Sequence, residues 1–161
     1  MKKLFQKALL FSACVLLFGC SEPSNQQNCW VAGISDGDTF RCLRSDKVQI
    51  KVRMLEIDAP ESHQAFGNRA KQALSDLIYK QNVTLELHKH DRYGRDLAVV
   101  YNEQGQNVNL QMVEQGFAWA YNRKNRQYMA AEQQAREQRL GLWQDKNPIE
   151  PREFRKMARD K

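Results

Sequence analysis

The sequence predicts a mainly β protein with α cover (α+β), an OB-type five-stranded barrel with about three helices packed over it. Three observations carry that prediction. Five short stretches, at 29–34, 39–43, 48–54, 83–88 and 96–101, are apolar or alternate with period two. One helical pattern separates the third stretch from the fourth, and two more follow the fifth. The 161 residues leave room for one domain of ordinary size and not two.

In chain order, the N-terminus comes first. Lys2, Lys3 and Lys7 precede an uncharged apolar run from Ala8 to Phe18. That run is too short to span a bilayer and has the layout of a secretory signal, so residues 1–19 are set aside from the fold. It ends in Leu17-Phe18-Gly19-Cys20, which resembles the lipobox of bacterial lipoproteins and implies that Cys20 is lipidated as the first mature residue. Phe18 is bulkier than that motif usually accepts, and ordinary signal cleavage nearby is the alternative. The expected location is the cell envelope, periplasmic or outer-membrane associated, or outside the cell if Cys20 carries no lipid. Ser21–Asn28 is polar, contains Pro23 and lacks apolar periodicity. Residues 20–28 are therefore expected to tether a membrane anchor to a domain over 29–146.

Cysteine usage fits an exported chain. Cys14 leaves with the signal, and Cys20, Cys29 and Cys42 remain. An odd cysteine in an exported protein needs an explanation, and lipidation of Cys20 supplies one. Cys29 and Cys42 then form the one pair. They flank a hairpin, which brings them near each other in an oxidising compartment; two buried free thiols are the alternative. The full chain has 25 Lys and Arg against 19 Asp and Glu, a charge of +6. Three of those bases and no acid lie in residues 1–19, so the mature part holds 22 against 19, or +3. That mild excess permits a polyanionic partner without demanding one.

Cys29–Ile34 and Thr39–Leu43 surround Asp36-Gly37, a hairpin turn signal. Val48, Ile50, Val52 and Met54 alternate with Gln49, Lys51 and Arg53, which sends Arg53 to the face opposite the barrel interior. Ala70, Ala73, Leu74, Leu77 and Ile78 share one helical face. Val83, Leu85 and Leu87 alternate in a fourth strand, and the polar turn Asp91-Arg92-Tyr93-Gly94 leads to a fifth at Asp96–Tyr101. Helices follow at about 107–115, capped by Gly116, and at 125–140, ended by Gly141. Residues 147–161 form a charged C-terminal tail, either a short helix or a frayed end. Its basic stretch from Arg152 to Arg159 reads as solvated, with contact to nucleic acid or anionic lipid as the alternative.

Three clusters carry chemistry: Asp36-Gly37-Asp38-Thr39, Arg53-Met54-Leu55-Glu56-Ile57-Asp58-Ala59-Pro60-Glu61, and Asp91-Arg92-Tyr93-Gly94-Arg95. Each alone is an ordinary turn or loop. Together they hold what phosphodiester hydrolysis needs. The phosphate repels an anionic nucleophile, so a divalent cation must neutralise charge, and carboxylates with backbone carbonyls suit a hard ion such as Ca²⁺. Guanidinium groups match phosphate oxygens two at a time. A carboxylate must then deprotonate the attacking water. Asp38 and Asp58 serve for metal, Arg53 and Arg95 for phosphate, and Glu61 for water.

The order and spacing of these clusters resemble the staphylococcal nuclease (thermonuclease) family over roughly Val31–Trp143. The resemblance implies that Asp38 and Asp58 are calcium carboxylates and that Ala59, where many members have Thr, offers its backbone carbonyl. It implies that Arg53 and Arg95 hold the scissile phosphate and that Glu61 activates water. It also implies cleavage of DNA and RNA with little sequence preference, leaving 3′-phosphate ends. Five residues separate Glu61 from Gly67, a shorter loop than in the best-known member. Tyr121 resembles the family's substrate-touching tyrosines at a shifted offset, and either contacts substrate or packs at the rim. Tyr93 either stacks on a base or shapes its turn. His88 and His90 share one side of a strand and read as surface residues. A monomer is expected. The rival readings are a non-catalytic nucleic-acid or protein binding module, and a structural lipoprotein.

Overall fold

Strand β1 begins earlier than its apolar pattern does. It runs Gln26–Ile34, because its polar start pairs with β5 (Asn82–His90), with Gln27 opposite Leu85 and Asn28 opposite Thr84. Ladder hydrogen bonds come from the backbone and need no apolar side chain. The tether reading therefore fails for Gln26–Asn28, which belong to the barrel. The computed structural model describes residues 25–160. The expected signal at 1–19, Cys20 and the tether up to residue 24 lie outside the described residues.

The barrel closes in the order β1, β2 (Thr39–Arg44), β3 (Gln49–Met54), β6 (Asp96–Tyr101), β5 and back to β1. Its pairings are antiparallel except β3 with β6. A parallel pair needs a long crossover, and the chain from β3 through α1 (Gly67–Ile78) and β5 supplies it. Val31, Phe40, Val52, Leu85 and Val100 are fully buried inside, and each large apolar side chain so placed contributes ~1.5–3 kcal/mol. Cys29 and Cys42 are joined across β1 and β2, with Cα atoms 5.7 Å apart.

Helix α1 buries Ala70, Ala73, Leu74 and Ile78. The turn after β1 presses directly on it. A Cβ added to Gly37 would stand 2.7 Å from the Cβ atoms of both Ala59 and Ala70, so glycine is required there for close approach. Helix α2 (Val108–Glu114) is capped by the Asn107 side chain, and Gly116 beyond it has φ 72°. Helix α3 (Arg126–Glu137) is capped by Asn125. It stops at Gln138, ahead of Gly141. Arg139 takes the left-handed conformation at its end, with φ 53°, and Gly141 takes it again two residues on, with φ 50°. Gly141 opens a 3₁₀ turn, Gly141–Gln144, whose Leu142 N–H donates to the Gly116 carbonyl at 2.8 Å.

Periodicity shows no sign of two very short strands, β4 (Ile57–Asp58) and β7 (Trp119–Ala120). They pair antiparallel, with Asp58 opposite Trp119. The charged segment after residue 146 contains a fourth helix, α4 (Pro151–Arg159), with proline in its first turn. Among the described residues no helix is long and apolar enough to cross a membrane.

Candidate active site

The three clusters meet in one cleft of about 550 Å³. Asp36 and Asp38 arrive from the turn after β1, Arg53 from the end of β3, and Asp58 to Glu61 from β4 and the loop beyond it. The turn between β5 and β6 contributes Arg92, Tyr93 and Arg95. Every one of the five residues expected to bind metal or activate water and phosphate through its side chain lines this space, and so does Ala59.

Arg53 is the centre of the arrangement. Its Nε lies 3.0 Å from Asp38 Oδ1, and one terminal nitrogen lies 2.9 Å from Asp58 Oδ1. One guanidinium thus touches both carboxylates, which places them at a common point although nineteen residues separate them in sequence. The other terminal nitrogen donates to the carbonyls of Met54 (2.8 Å) and Ile57 (2.9 Å). A guanidinium has five N–H groups. Each of its three nitrogens here faces an acceptor inside the protein, through three hydrogen bonds and the ion pair to Asp38, so much of its donor capacity is spent on holding the site together. Its side chain is 15% exposed, which makes these charge-assisted contacts strong relative to surface pairs.

Asp38 and Asp58 are buried, at 5% and 4% exposure. Asp38 accepts the Ala59 N–H at 2.7 Å and the Thr39 hydroxyl at 3.0 Å. Burial nevertheless pushes its carboxyl up from 3.8 to about 7, with Arg53 opposing and the charges of Asp36 and Asp58 adding. Two buried carboxylates facing open space are a donor set suited to a hard divalent ion. Among the described residues no group of three His, Cys, Asp or Glu side chains is placed to hold a metal. His88 and His90 stand apart, paired with Glu86 (3.3 Å) and Asp96 (2.6 Å).

Arg95 is oriented by Asp91, whose carboxylate takes Arg95 Nε at 2.7 Å while also accepting the backbone N–H groups of Tyr93 and Arg95. Tyr93 stands 68% exposed at the mouth, with the Arg92 and Arg95 guanidiniums 4.8 and 5.5 Å from its ring centre. Tyr121 does not line this cleft. It lies in a smaller neighbouring groove that shares Asp58, beside Arg123 and Arg152.

Glu61 follows Pro60 in the loop before α1, and its backbone bonds with Gln64. Its side chain meets a residue that the sequence did not single out. Arg155, on α4, lies 2.6 Å from Glu61 Oε1 and 2.8 Å from Asp58 Oδ2. Two further residues position the site without entering it. Glu56, at φ 64° in the turn before β4, accepts the side-chain amides of Asn122 and Asn125 at 2.6 Å each. Asn109, fully buried on α2, accepts from Val100 N at 3.0 Å and donates to Leu55 O at 2.9 Å. Asn109 had no distinguishing signal, since Gln111 and Glu114 share its short helix. Arg155 and Glu56 had none.

An OB-type barrel with carboxylates and guanidiniums converging in one open cleft has the parts that a phosphate-handling site requires. Comparison with known proteins narrows the class. Residues 51–145 match the family model described as staphylococcal nuclease homologue. A Haemophilus influenzae protein named as an uncharacterized endonuclease is 45% identical, over 97% of this chain and 89% of its own. A micrococcal nuclease of Shigella flexneri is 44% identical, over 81% of each chain. An Escherichia coli protein, again named as an uncharacterized endonuclease, is 37% identical over 75% of this chain and 80% of its own. The chain belongs to the staphylococcal nuclease family.

Proposed function

We propose that this protein is a calcium-dependent endonuclease that hydrolyses phosphodiester bonds of DNA, RNA or both with little sequence preference. The observation that carries the proposal is the bridging of Asp38 and Asp58 by Arg53 in the cleft that also holds Glu61 and Arg95. The names of its relatives, endonucleases and a micrococcal nuclease, agree with it.

Asp38 and Asp58 would hold the ion, with the Ala59 carbonyl as a backbone donor. Bound there, the ion supplies Lewis-acid charge to a phosphate oxygen. Arg95, held at Nε by Asp91, turns its remaining N–H groups to the phosphate, and Arg53 adds its positive charge beside it. Both are aimed before substrate arrives, so the charge that builds in the transition state meets donors needing little reorganisation. Glu61 takes the proton of the attacking water, a role typically worth ~10²–10⁴-fold. Tyr93, exposed at the mouth, offers a face for a base to stack on. Tyr121 serves as a contact for an adjoining nucleotide through the groove that shares Asp58.

Export and lipid anchoring at Cys20 belong to the same proposal and rest on the residues before 21 alone. Metabolic labelling with a fatty-acid analogue, abolished in Cys20→Ser, tests them. The nuclease reading is tested by incubating purified protein with DNA and with RNA, in calcium and in chelator. Fragments should appear only with calcium, and Glu61→Gln should cut ~10²–10⁴-fold more slowly with an unchanged fold. A Glu61→Gln protein as active as its parent refutes the mechanism, and absence of fragments from any substrate favours a binding module.

A further inference from the structure

The contact of Arg155 with the cleft is too specific to be a solvated tail and too exposed to be a stability device. Helix α4 buries only Pro151, Phe154 is partly covered, and the rest of the helix faces water. Arg155 itself is 44% exposed, so its ion pairs contribute little to folding. Their effect on the site is different. Asp58 is nearly enclosed, and Arg155 takes its Oδ2 at 2.8 Å and approaches its Oδ1 at 3.3 Å, where Arg53 already sits at 2.9 Å. Both oxygens of a carboxylate suited to metal are thereby occupied by guanidinium nitrogens. The same Arg155 guanidinium lies 2.6 Å from Glu61 Oε1.

Resting on the metal-dependent reading above, we propose that Arg155 is a built-in competitor for the divalent ion, which it must yield to before Asp58 and Glu61 can work. A hard cation binds carboxylate oxygens directly at ~2.3–2.6 Å, which a guanidinium on the same lone pairs obstructs by contact and by charge. Displaced from Asp58, Arg155 also releases the Glu61 oxygen that has to accept a proton from water. The protein thus sets its ion affinity with a side chain outside the matched family span, which ends at residue 145. Helix α4 is lightly held, with Pro151 buried, Phe154 half-covered, and the Gln64 side chain on the Ile149 carbonyl just before the helix, so most of it is open to water and Arg155 can swing off the carboxylates.

Calorimetric titration of the full chain with CaCl₂ alone, at fixed ionic strength, tests this. Arg155→Gln should bind calcium at least about tenfold more tightly than the parent, since a charge-assisted competitor is gone. Arg155→Lys keeps the charge but loses the two-pronged contact, and should fall between; it carries the test if the first variant folds poorly. Lys156→Gln removes an equal charge from the same helix, away from the carboxylates, and should change affinity less than about twofold because exposed charges are screened. Equal calcium affinity in parent and Arg155→Gln overturns the inference alone, as does an equal shift from Lys156→Gln. If neither parent nor Arg155→Gln takes up calcium, the metal reading falls and this inference with it.

Discussion

Gly67→Ala should disable the site through the backbone. Gly67 opens α1, and an added Cβ would stand 1.9 Å from the Glu61 carbonyl oxygen, 2.8 Å from its carbon and 3.1 Å from Ser62 Cα. All three are main-chain atoms, so no change of rotamer relieves the clash. Ordinary contact begins at 3.4 Å, and the Glu61 segment must retreat from 1.9 Å to that distance or α1 must shift instead. Overpacking of this kind costs ~1–3 kcal/mol. The better helix propensity of alanine returns at most ~1 kcal/mol. A displacement of order 1 Å at a catalytic group can cost ~10²-fold in rate. The assay pairs urea unfolding with initial rates of DNA cleavage in calcium, measured where circular dichroism shows the variant folded. A variant with parental stability and a rate within a few-fold of the parent refutes the argument that Gly67 seats Glu61.

Other outcomes are expected. The Asp38 carboxyl is raised in the folded state from 3.8 to about 7, so its contribution to stability is full below 3.8 and lost as pH rises through about 7. The melting temperature of metal-free parent should therefore fall from the acid to the alkaline side of 7 more steeply than that of Asp38→Asn; parallel curves would contradict the raised value. Replacing both Cys29 and Cys42 by Ser opens a loop of 13-residue separation and should lower unfolding free energy by ~2–4 kcal/mol, read from urea midpoints. Glu56→Ala removes the two bonds to Asn122 and Asn125 and leaves a left-handed backbone without its anchor. It should cost ~1–3 kcal/mol in the same assay and also slow cleavage, because the turn it holds leads into β4 and Asp58.

The amino-acid sequence by itself determined the barrel and the chemical parts of the site. Period-two alternation is written into Val48–Met54 and Val83–Leu87, and it buries Val52, Met54, Val83 and Leu85, while Val48, just ahead of β3, stays exposed. The residues of the cleft sit in short clusters at turns, where acidic and basic side chains beside Gly and Pro, taken together, match the needs of one phosphate site. Local patterns do not reach further. Gln26–Asn28 join the barrel through backbone pairing, which leaves no mark on side-chain type. Two-residue strands such as β4 and β7 are too short to show a period, yet their pairing is what sets Asp58 against Arg53. Only the tertiary structure could show that all three nitrogens of Arg53 face acceptors inside the protein. Only it brings Arg155 back, across nearly a hundred residues, onto Asp58 and Glu61. Electrostatic contact depends on distance in space, and a basic tail reads the same in sequence whether it lies in water or on a carboxylate.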